Sequence, residues 1–311
     1  MKTAFLFPGQ GAQTVGMGKD VAAAYPAAAD IYKKADEILG YDLTRICFEG
    51  PAERLDKTDV SQPAIFVTSI ALLESMRAVP AAESRITPSV TAGLSLGEYT
   101  ALCAAGVVNF EQGLLLVQER GKAMQAAAEN SEGAMVSFIG LDEQKLTHLC
   151  AEAANNELLV PVNFNCPGQI VISGTKAACE RALKLADKYG AIKAVPLSVA
   201  GAFHTEMMAP AAEKLKQALD KTNVSDPSDV EIIANINAEY YSDAEHIKNG
   251  LVKHFIQPIL WQKCMERFIS DGVEKFYEIG PGRVLTGLMK RINRKIKVTN
   301  VSSADAVKEL T

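Results

Sequence analysis

A serine flanked by glycines is the residue of this chain best suited to chemistry. Residues 93–97 run Gly-Leu-Ser-Leu-Gly, with Ser95 at the centre. A short apolar run before this G-x-S-x-G pattern and a helical run after it give the strand-turn-helix order in which the pattern marks a nucleophile elbow. The turn exposes the hydroxyl, and the helix start offers N–H groups to a developing oxyanion. The pattern therefore predicts a catalytic serine; a glycine-rich connection without chemistry is the alternative.

A serine nucleophile needs a general base, and the chain has four histidines. His148 and His246 lie in polar segments and are interpreted as surface residues. His204 follows the apolar run 199–203 and opens a helical stretch, so a neutral imidazole there can accept the serine proton at physiological pH. A buried histidine without chemistry is the alternative. Because no aspartate occupies an obvious triad position, a backbone carbonyl is the candidate to orient the ring.

Arg120 lies on an apolar helical stripe together with Leu116, Val117 and Met124. A buried guanidinium without a partner is unfavourable, so such an arginine normally contacts a carboxylate or a phosphate. The sequence leaves two partners open. One is an acidic side chain on a neighbouring element, and the other is the acidic group of a substrate.

The turn after the first predicted strand is rich in glycine, and residues 7–13 run F-P-G-Q-G-A-Q. It approaches the dinucleotide-binding pattern G-x-G-x-x-G, but Thr14 replaces the third glycine, which disfavours a nucleotide site. We expect this turn, which contains Gln10, to direct a backbone N–H into the crevice at the carboxyl ends of the strands, where α/β sheets have their sites.

The composition limits the class of protein. The chain has 311 residues, 48% of them hydrophobic, and a formal net charge of -5, which gives no general attraction to nucleic acid or to an anionic membrane. Its six cysteines are scattered without metal-ligand spacing. No apolar run approaches the roughly 18 residues of a membrane span. We expect a cytoplasmic protein without a bound metal.

Strand and helix patterns alternate along the chain, which favours an α/β fold with a largely parallel sheet. Strands are predicted at 3–7, 89–92, 232–235 and 276–279, helices at 20–39 and 64–76, and a final helix from Val284. Between them, residues 134–197 follow the order strand, helix, strand, strand, helix, strand of a ferredoxin-like unit. We therefore expect a large α/β body of residues 1–130 and 198–311 and an inserted small subdomain of residues 131–197.

Short segments spread along the chain are more specific together than any one of them. They are residues 7–11 (F-P-G-Q-G), 61–64 (S-Q-P-A), 93–98 (G-L-S-L-G-E), 118–121 (Q-E-R-G), 161–165 (P-V-N-F-N), 201–204 (G-A-F-H) and 280–285 (G-P-G-R-V-L). On these segments the sequence strongly resembles the malonyl-CoA:acyl carrier protein transacylases over essentially its full length. The resemblance implies an α/β-hydrolase-like body with a ferredoxin-like insert, which agrees with the order of elements above.

The resemblance also implies roles for individual residues. Ser95 is the expected nucleophile, His204 its base, and Arg120 the residue that binds the malonyl carboxylate. The backbone N–H groups of Gln10 and Leu96 are expected to form the oxyanion hole. The resemblance further implies that the backbone carbonyl of His254 orients the base. The implied substrate-binding side chains are those of Gln62, Met124, Asn163, Asn165 and Phe203.

The implied reaction is a ping-pong transfer. Ser95 attacks malonyl-CoA, CoA leaves, and the phosphopantetheine thiol of an acyl carrier protein takes the malonyl group. No bound cofactor is needed, and nothing demands more than a monomer. Phe203 matches the malonyl-selective members, whereas methylmalonyl-selective relatives usually carry serine there. The chain departs from the family at Leu94, where many members have histidine, and at His254, where glutamine is usual, which leaves open whether His254 adds a titrating group.

Other functions stay open on sequence alone. A serine thioester hydrolase would use Ser95 and His204 but would gain nothing from a buried Arg120, and a non-catalytic carrier-docking scaffold would not need the pair. The sequence does not distinguish fatty acid from polyketide synthesis. A basic cluster near the C-terminus is either a docking surface for an acidic carrier or a solvated helix end. It comprises Lys290, Arg291, Arg294, Lys295 and Lys297.

Overall fold

The computed structural model describes residues 1–79, 86–199 and 201–310 of the chain. Within them, strands and helices alternate around two separate sheets. The strands are β1 (Lys2–Phe7), β2 (Val90–Gly93), β3 (Gly133–Ile139), β4 (Leu159–Cys166), β5 (Gln169–Thr175), β6 (Lys193–Pro196), β7 (Glu231–Ile232), β8 (Val273–Ile279) and β9 (Val298–Val301). The helices are α1 (Lys19–Ala24), α2 (Pro26–Leu39), α3 (Leu43–Glu49), α4 (Ala52–Leu55), α5 (Thr58–Ala78), α6 (Gly97–Ala104), α7 (Phe110–Glu129), α8 (Glu143–Ala154), α9 (Lys176–Tyr189), α10 (Ala209–Asp220), α11 (Ala244–Lys253), α12 (Trp261–Ser270), α13 (Val284–Ile292) and α14 (Ala304–Lys308), with a 3-10 turn at Glu206–Met208.

The larger sheet is parallel throughout, with the strand order β7-β2-β1-β8-β9. β1 is its central strand, and residues 3–7 are all buried, as is usual in a parallel sheet that is covered on both faces. Phe7 pairs with Gly93, so the carboxyl ends of β1 and β2 lie side by side. The glycine-rich turn after β1 therefore lies next to the turn that contains Ser95. The predicted α/β body with a parallel sheet is confirmed.

The smaller sheet is antiparallel, with the strand order β4-β5-β3-β6. Along the chain its elements follow the order β3-α8-β4-β5-α9-β6, so the ferredoxin-like prediction is confirmed. α8 and α9 pack against this sheet, and Phe138, Leu146 and Ile172 belong to an apolar core of its own. The proposed limits of the small subdomain, residues 131–197, stay a prediction.

The edge strand β4 of the smaller sheet also contacts the larger body. The Phe164 N–H donates to the Ile259 carbonyl at 2.9 Å, and the Ile259 N–H donates to the Val162 carbonyl at 2.7 Å. These bonds form a short parallel bridge between Asn163 and Ile259, just before α12. The part of β4 that carries Asn163 and Asn165 therefore lies directly against the α/β body.

Two helix predictions differ from the structure, one in extent and one in its place as the last helix. The segment 20–39 forms two helices, because the chain is extended at Tyr25 and Pro26 begins a new helix, α2. The helix from Val284 was predicted to be the final one, but it ends at Ile292 and is followed by β9 and α14. β9 has only four residues, which gives too short a pattern to stand out in the sequence.

Helix α5 is buried along most of its 21 residues, because it packs against α2 and α7. Neither α5 nor any other helix in the described residues is both long and apolar enough to cross a membrane. Pro63 lies in the second turn of α5, beside Gln62, which is completely buried. The burial of this helix fixes the Gln62 side chain in the interior of the body.

Candidate active site

Ser95 lies in the turn between β2 and α6, and its backbone is strained. Its φ is 52°, in the left-handed region that residues with a Cβ atom seldom adopt. The turn is also closely packed. A Cβ on Gly93 would lie 1.8 Å from the carbonyl carbon of Gly97, and a Cβ on Gly97 would lie 2.1 Å from the Phe7 carbonyl oxygen. The glycines of the G-x-S-x-G pattern thus allow a sharp turn with Ser95 at its apex.

The His204 ring lies between Ser95 and a backbone carbonyl. Its Nε2 is 3.0 Å from Ser95 Oγ, and its Nδ1 is 2.8 Å from the His254 carbonyl oxygen. Because a carbonyl only accepts, Nδ1 carries the proton, and Nε2 can accept the hydroxyl proton of Ser95. Burial, and then the charge of Arg120, lowers the pKa of His204 to about 3. The ring is therefore neutral at physiological pH, as a general base must be.

Arg120 on α7 is 1% exposed, and its guanidinium reaches the same serine. Its Nη1 donates to Gln62 Oε1 at 2.7 Å, and its Nη2 donates to Ser95 Oγ at 3.1 Å. The ring centroids of Tyr99 and Phe255 each lie 5.4 Å from its Cζ. Within the described residues, no carboxylate oxygen lies within 4.0 Å of the guanidinium. The buried Glu98 interacts with Arg120 electrostatically over a longer distance, so in that part of the chain no acidic side chain pairs directly with the guanidinium.

Gln62 lies between Arg120 and Met124. Its Oε1 accepts from the guanidinium, and its Nε2 donates to Met124 Sδ at 3.4 Å. Phe203 is 4% exposed and belongs to the same apolar core as Met124. The structure thus brings Gln62 and Met124 to Arg120 and Ser95, although 62 residues separate Gln62 from Met124 in the chain.

The two N–H groups expected to form an oxyanion hole have no competing acceptor within the described part of the chain. The Ser95 N–H is used, because it donates to Asn235 Oδ1 at 2.8 Å. Among residues 1–79, 86–199 and 201–310, no oxygen accepts a hydrogen bond from the N–H of Gln10 or Leu96. Gln10 follows β1 and Leu96 follows Ser95, and the ends of β1 and β2 are neighbours. Both groups are therefore available at this edge of the sheet.

Asn163 and Asn165 are half buried on β4. In the described part of the chain, neither side chain is hydrogen-bonded to Ser95, His204 or Arg120. The Asn165 Oδ1 atom is buried and has no hydrogen-bond partner among the residues that the structure describes. The expected role of these two asparagines at the substrate stays a prediction.

The His254 side chain is fully buried beside the site. Its ring centroid is 5.3 Å from that of His204, and its Nε2 is 4.0 Å from Glu98 Oε2. Neither ring nitrogen has a hydrogen-bond partner within the described residues. Burial, together with His204 and Arg120, holds the pKa of His254 well below its usual value. The ring is therefore neutral, and it is the backbone carbonyl of His254 that contacts His204.

Asn235 is a residue of the site that the sequence did not single out. Its Oδ1 accepts from the Ser95 N–H at 2.8 Å, and its Nδ2 donates to the Gly93 carbonyl at 2.8 Å. The strand predicted at 232–235 was wrong in extent, because β7 ends at Ile232 and the chain then turns. The available signal was an asparagine that closes an apolar run, I-I-A-N. That signal does not identify a partner 140 residues away.

Known proteins with similar sequences and folds cover nearly the whole chain. The acyl transferase domain matches residues 4–310. A malonyl CoA-acyl carrier protein transacylase of Bacillus subtilis is 44% identical over 307 residues, which cover 98% of this chain and 95% of the relative. The solved structure of the malonyl CoA-acyl carrier protein transacylase of Coxiella burnetii has a TM-score of 0.93 at 35% identity and covers 99% of this chain and 96% of its own. A malonyl-transacylase solved in complex with a type II PKS acyl-carrier protein also has a TM-score of 0.93, at 39% identity, and covers 100% of this chain and 99% of its own.

Proposed function

Because the chain belongs to the acyl transferase family, within the group of malonyl CoA-acyl carrier protein transacylases, we propose that it moves a malonyl group from malonyl-CoA to the phosphopantetheine thiol of an acyl carrier protein through an ester on Ser95. One observation carries this proposal. Arg120 is buried, forms no direct ion pair within the described residues, and donates a hydrogen bond to the Ser95 hydroxyl. A cationic group beside the nucleophile suits an acyl group that itself carries a carboxylate.

The first half of the reaction is acylation of Ser95. His204 Nε2 takes the hydroxyl proton while Oγ attacks the thioester carbonyl, and the His254 carbonyl stabilises the imidazolium through Nδ1–H. The oxygen of the tetrahedral intermediate accepts from the backbone N–H groups of Gln10 and Leu96. The carbon–sulfur bond then breaks, and CoA leaves as a thiol with the proton from His204.

Selection of the acyl group depends on Arg120. A carboxylate is a stronger hydrogen-bond acceptor than a neutral amide oxygen, so the malonyl carboxylate can replace Gln62 Oε1 on the guanidinium. Met124 and Phe203 border the acyl group with apolar atoms. Asn163 and Asn165 approach it from β4 of the smaller sheet.

The second half passes the malonyl group to the carrier. The phosphopantetheine thiol gives its proton to His204, its sulfur attacks the ester carbonyl, and Ser95 Oγ leaves and recovers the proton. The malonyl-transacylase that was solved in complex with its acyl-carrier protein supports this choice of acceptor. A thioester hydrolase would instead admit water to the same ester.

The experiment is to incubate the protein with malonyl-CoA, identify the modified residue by tandem mass spectrometry, and then add a holo acyl carrier protein. We expect a stable malonyl adduct on Ser95 that moves to the carrier. The matched control is Ser95→Ala, which should form no adduct. His204→Ala should form the adduct about 10²- to 10⁴-fold more slowly, the range typical for loss of a general base.

Each other outcome contradicts the proposal in a distinct way. Rapid loss of the adduct to free malonate, with no malonyl group on the carrier, would identify a hydrolase. No adduct on the wild-type protein would indicate a docking scaffold. An adduct that persists in Ser95→Ala would assign the nucleophile to another residue.

A further inference from the structure

The side-chain amide of Asn235 spans the turn that contains Ser95. Its Oδ1 accepts from the Ser95 N–H, and its Nδ2 donates to the Gly93 carbonyl, each at 2.8 Å. These two backbone groups flank Leu94, so one planar amide fixes the backbone on both sides of that residue. Asn235 is completely buried, and both ends of its side chain are used in this way.

These bonds act where the backbone is strained. Ser95 has a φ of 52°, and a residue with a Cβ atom keeps such a conformation only when its surroundings impose it. The bond to Asn235 also directs the Ser95 N–H toward the amide. The next N–H, that of Leu96, is left without a protein acceptor in the described residues. The amide therefore affects the direction of the Ser95 hydroxyl. It also leaves the Leu96 N–H, and not the Ser95 N–H, to donate to the oxyanion.

The backbone of Asn235 is itself fixed from two directions. Its N–H donates to Glu98 Oε2 at 2.9 Å, and its carbonyl accepts from the Leu260 N–H at 2.8 Å. Glu98 lies in the first turn of α6, directly after the nucleophile turn, and its other oxygen accepts from the Tyr241 hydroxyl. Because these contacts use backbone atoms of Asn235, a substitution of its side chain removes the amide and leaves them in place.

We propose that Asn235 is a positioning residue for the nucleophile: its amide fixes the Ser95 backbone so that Oγ meets His204 Nε2 and the Leu96 N–H faces the reacting carbonyl. This inference rests on the proposed function, in which Ser95 is the nucleophile. Within the described residues, Asn235 makes no hydrogen bond to Arg120 or Gln62. Its loss should therefore lower the rate of acylation and leave the KM for malonyl-CoA nearly unchanged.

The test compares Asn235→Ala with Asn237→Ala, a change of the same kind at an exposed asparagine two residues later. Single-turnover acylation by malonyl-CoA should slow by about 100-fold in Asn235→Ala, because a misplacement of about 1 Å has an effect of this size. Asn237→Ala should stay within about twofold of the wild type. Equal acylation rates in the two variants would overturn the proposal, as would a loss that appears in KM alone.

Asn235→Asp separates positioning from simple packing. A protonated aspartic acid can accept from the Ser95 N–H and donate to the Gly93 carbonyl, as the amide does, whereas an ionised one cannot donate. Burial favours the protonated form, and so does Glu98 while it is ionised, since burial raises the pKa of Glu98 itself to about 7. Acylation by this variant should recover as the pH falls, relative to the wild type at the same pH. A ratio that is independent of pH would contradict the proposal. This variant also serves if Asn235→Ala does not fold.

A fluorophosphonate probe, which labels nucleophilic serines without malonyl-CoA, keeps this test separate from that of the proposed function. Slower labelling of Ser95 in Asn235→Ala than in Asn237→Ala would support the positioning role even if the wild-type protein did not accept malonyl-CoA. Equal labelling would refute the positioning role even if the wild-type protein transferred malonyl groups.

Discussion

Arg120 donates a hydrogen bond to the hydroxyl oxygen of Ser95 at 3.1 Å, so a buried positive charge lies at the nucleophile itself. The same hydroxyl lies 3.0 Å from His204 Nε2. The arrangement lets Oγ accept from the guanidinium while it donates to the imidazole. Arg120 can therefore act on the substrate carboxylate and on the charge of the nucleophile, and the two effects need separate measurements.

The first prediction concerns acyl selectivity. In Arg120→Ala, malonyl transfer should fall by about 100-fold more than acetyl transfer, because removal of one partner of a desolvated ion pair typically costs a few kcal/mol. Acetyl-CoA has no carboxylate and never forms the pair. The measurement is the ratio of kcat/KM for malonyl-CoA and acetyl-CoA in wild type and variant. Equal losses for both substrates would assign Arg120 a purely structural or nucleophile-directed role.

The second prediction concerns pH. Since burial and Arg120 lower the pKa of His204 to about 3, the neutral base is present at any pH above that value. Titration of His204 should therefore give the wild type no acidic limb near pH 6.5, the usual pKa of histidine. Removal of the Arg120 charge raises the pKa of His204. In Arg120→Ala, with acetyl-CoA as the substrate, the fall in acylation rate at acidic pH should therefore begin at a higher pH. Burial raises the pKa of Glu98, beside the site, to about 7. A wild-type limb near pH 6.5 that persists in Glu98→Gln would therefore show that His204 is not desolvated in the working enzyme.

The third prediction concerns His254. Its carbonyl accepts from His204, whereas its ring nitrogens have no hydrogen-bond partner in the described residues. His254→Gln keeps the carbonyl and a side chain of similar volume, so kcat/KM should change by less than about threefold. The control is His148→Gln, at an exposed position. A large loss at His254, accompanied by a shifted pH profile, would show that its ring takes part in the reaction.

The fourth prediction concerns the carrier. Lys290, Arg291 and Arg294 line one depression together with Pro167, the residue after β4. Arg291 also donates to the Gln169 side chain and the Pro167 carbonyl, so its substitution would disturb the contact between α13 and the smaller sheet. The double substitution Lys290→Glu and Arg294→Glu leaves the contacts of Arg291 intact and is therefore the better test of the basic cluster. It should raise the KM for the carrier and leave acylation by malonyl-CoA unchanged.

The effect of these reversals should weaken with added salt, because charges are screened beyond about 8 Å at physiological ionic strength. The control is the same charge reversal at Lys33 and Lys34, two exposed residues of α2. If the two double variants have equal carrier kinetics at low ionic strength, the basic cluster is a solvated helix end.

The sequence predicted the parts of the site that local pattern encodes. The turn around Ser95 follows from glycines at fixed offsets, and the burial of Arg120 follows from its place on an apolar helical stripe, which the structure bears out at 1% exposure. Both signals lie within a few residues of the group concerned. The order of elements in the smaller sheet was predicted for the same reason, since each of its strands and helices has its own periodicity.

Contacts that join distant segments could not be predicted in this way. Asn235 reaches Ser95 across 140 residues, and Gln62 reaches Arg120 across 58. The local sequence around each of these two side chains is equally compatible with an exposed position in contact with water. Both contacts depend on the strand order of the parallel sheet and on helix packing, which periodicity does not specify. β9 was missed for a related reason, because its pairing with β8 and not its own pattern makes it a strand.

The close packing of Gly93 and Gly97 has an evolutionary consequence. Gly93 leaves no space for a side chain because of Gly97, and Gly97 leaves none because of the Phe7 and Pro8 carbonyls. A substitution at one of these glycines cannot create space for a side chain at the other. A second substitution at the partner glycine therefore cannot restore the packing that the first one disrupts. Leu94 between them is half buried and packs against the apolar core that includes Ala92. Backbone packing alone thus preserves the two glycines in descendants of this sequence. The glycine spacing would persist even in a lineage that had lost the serine and its chemistry.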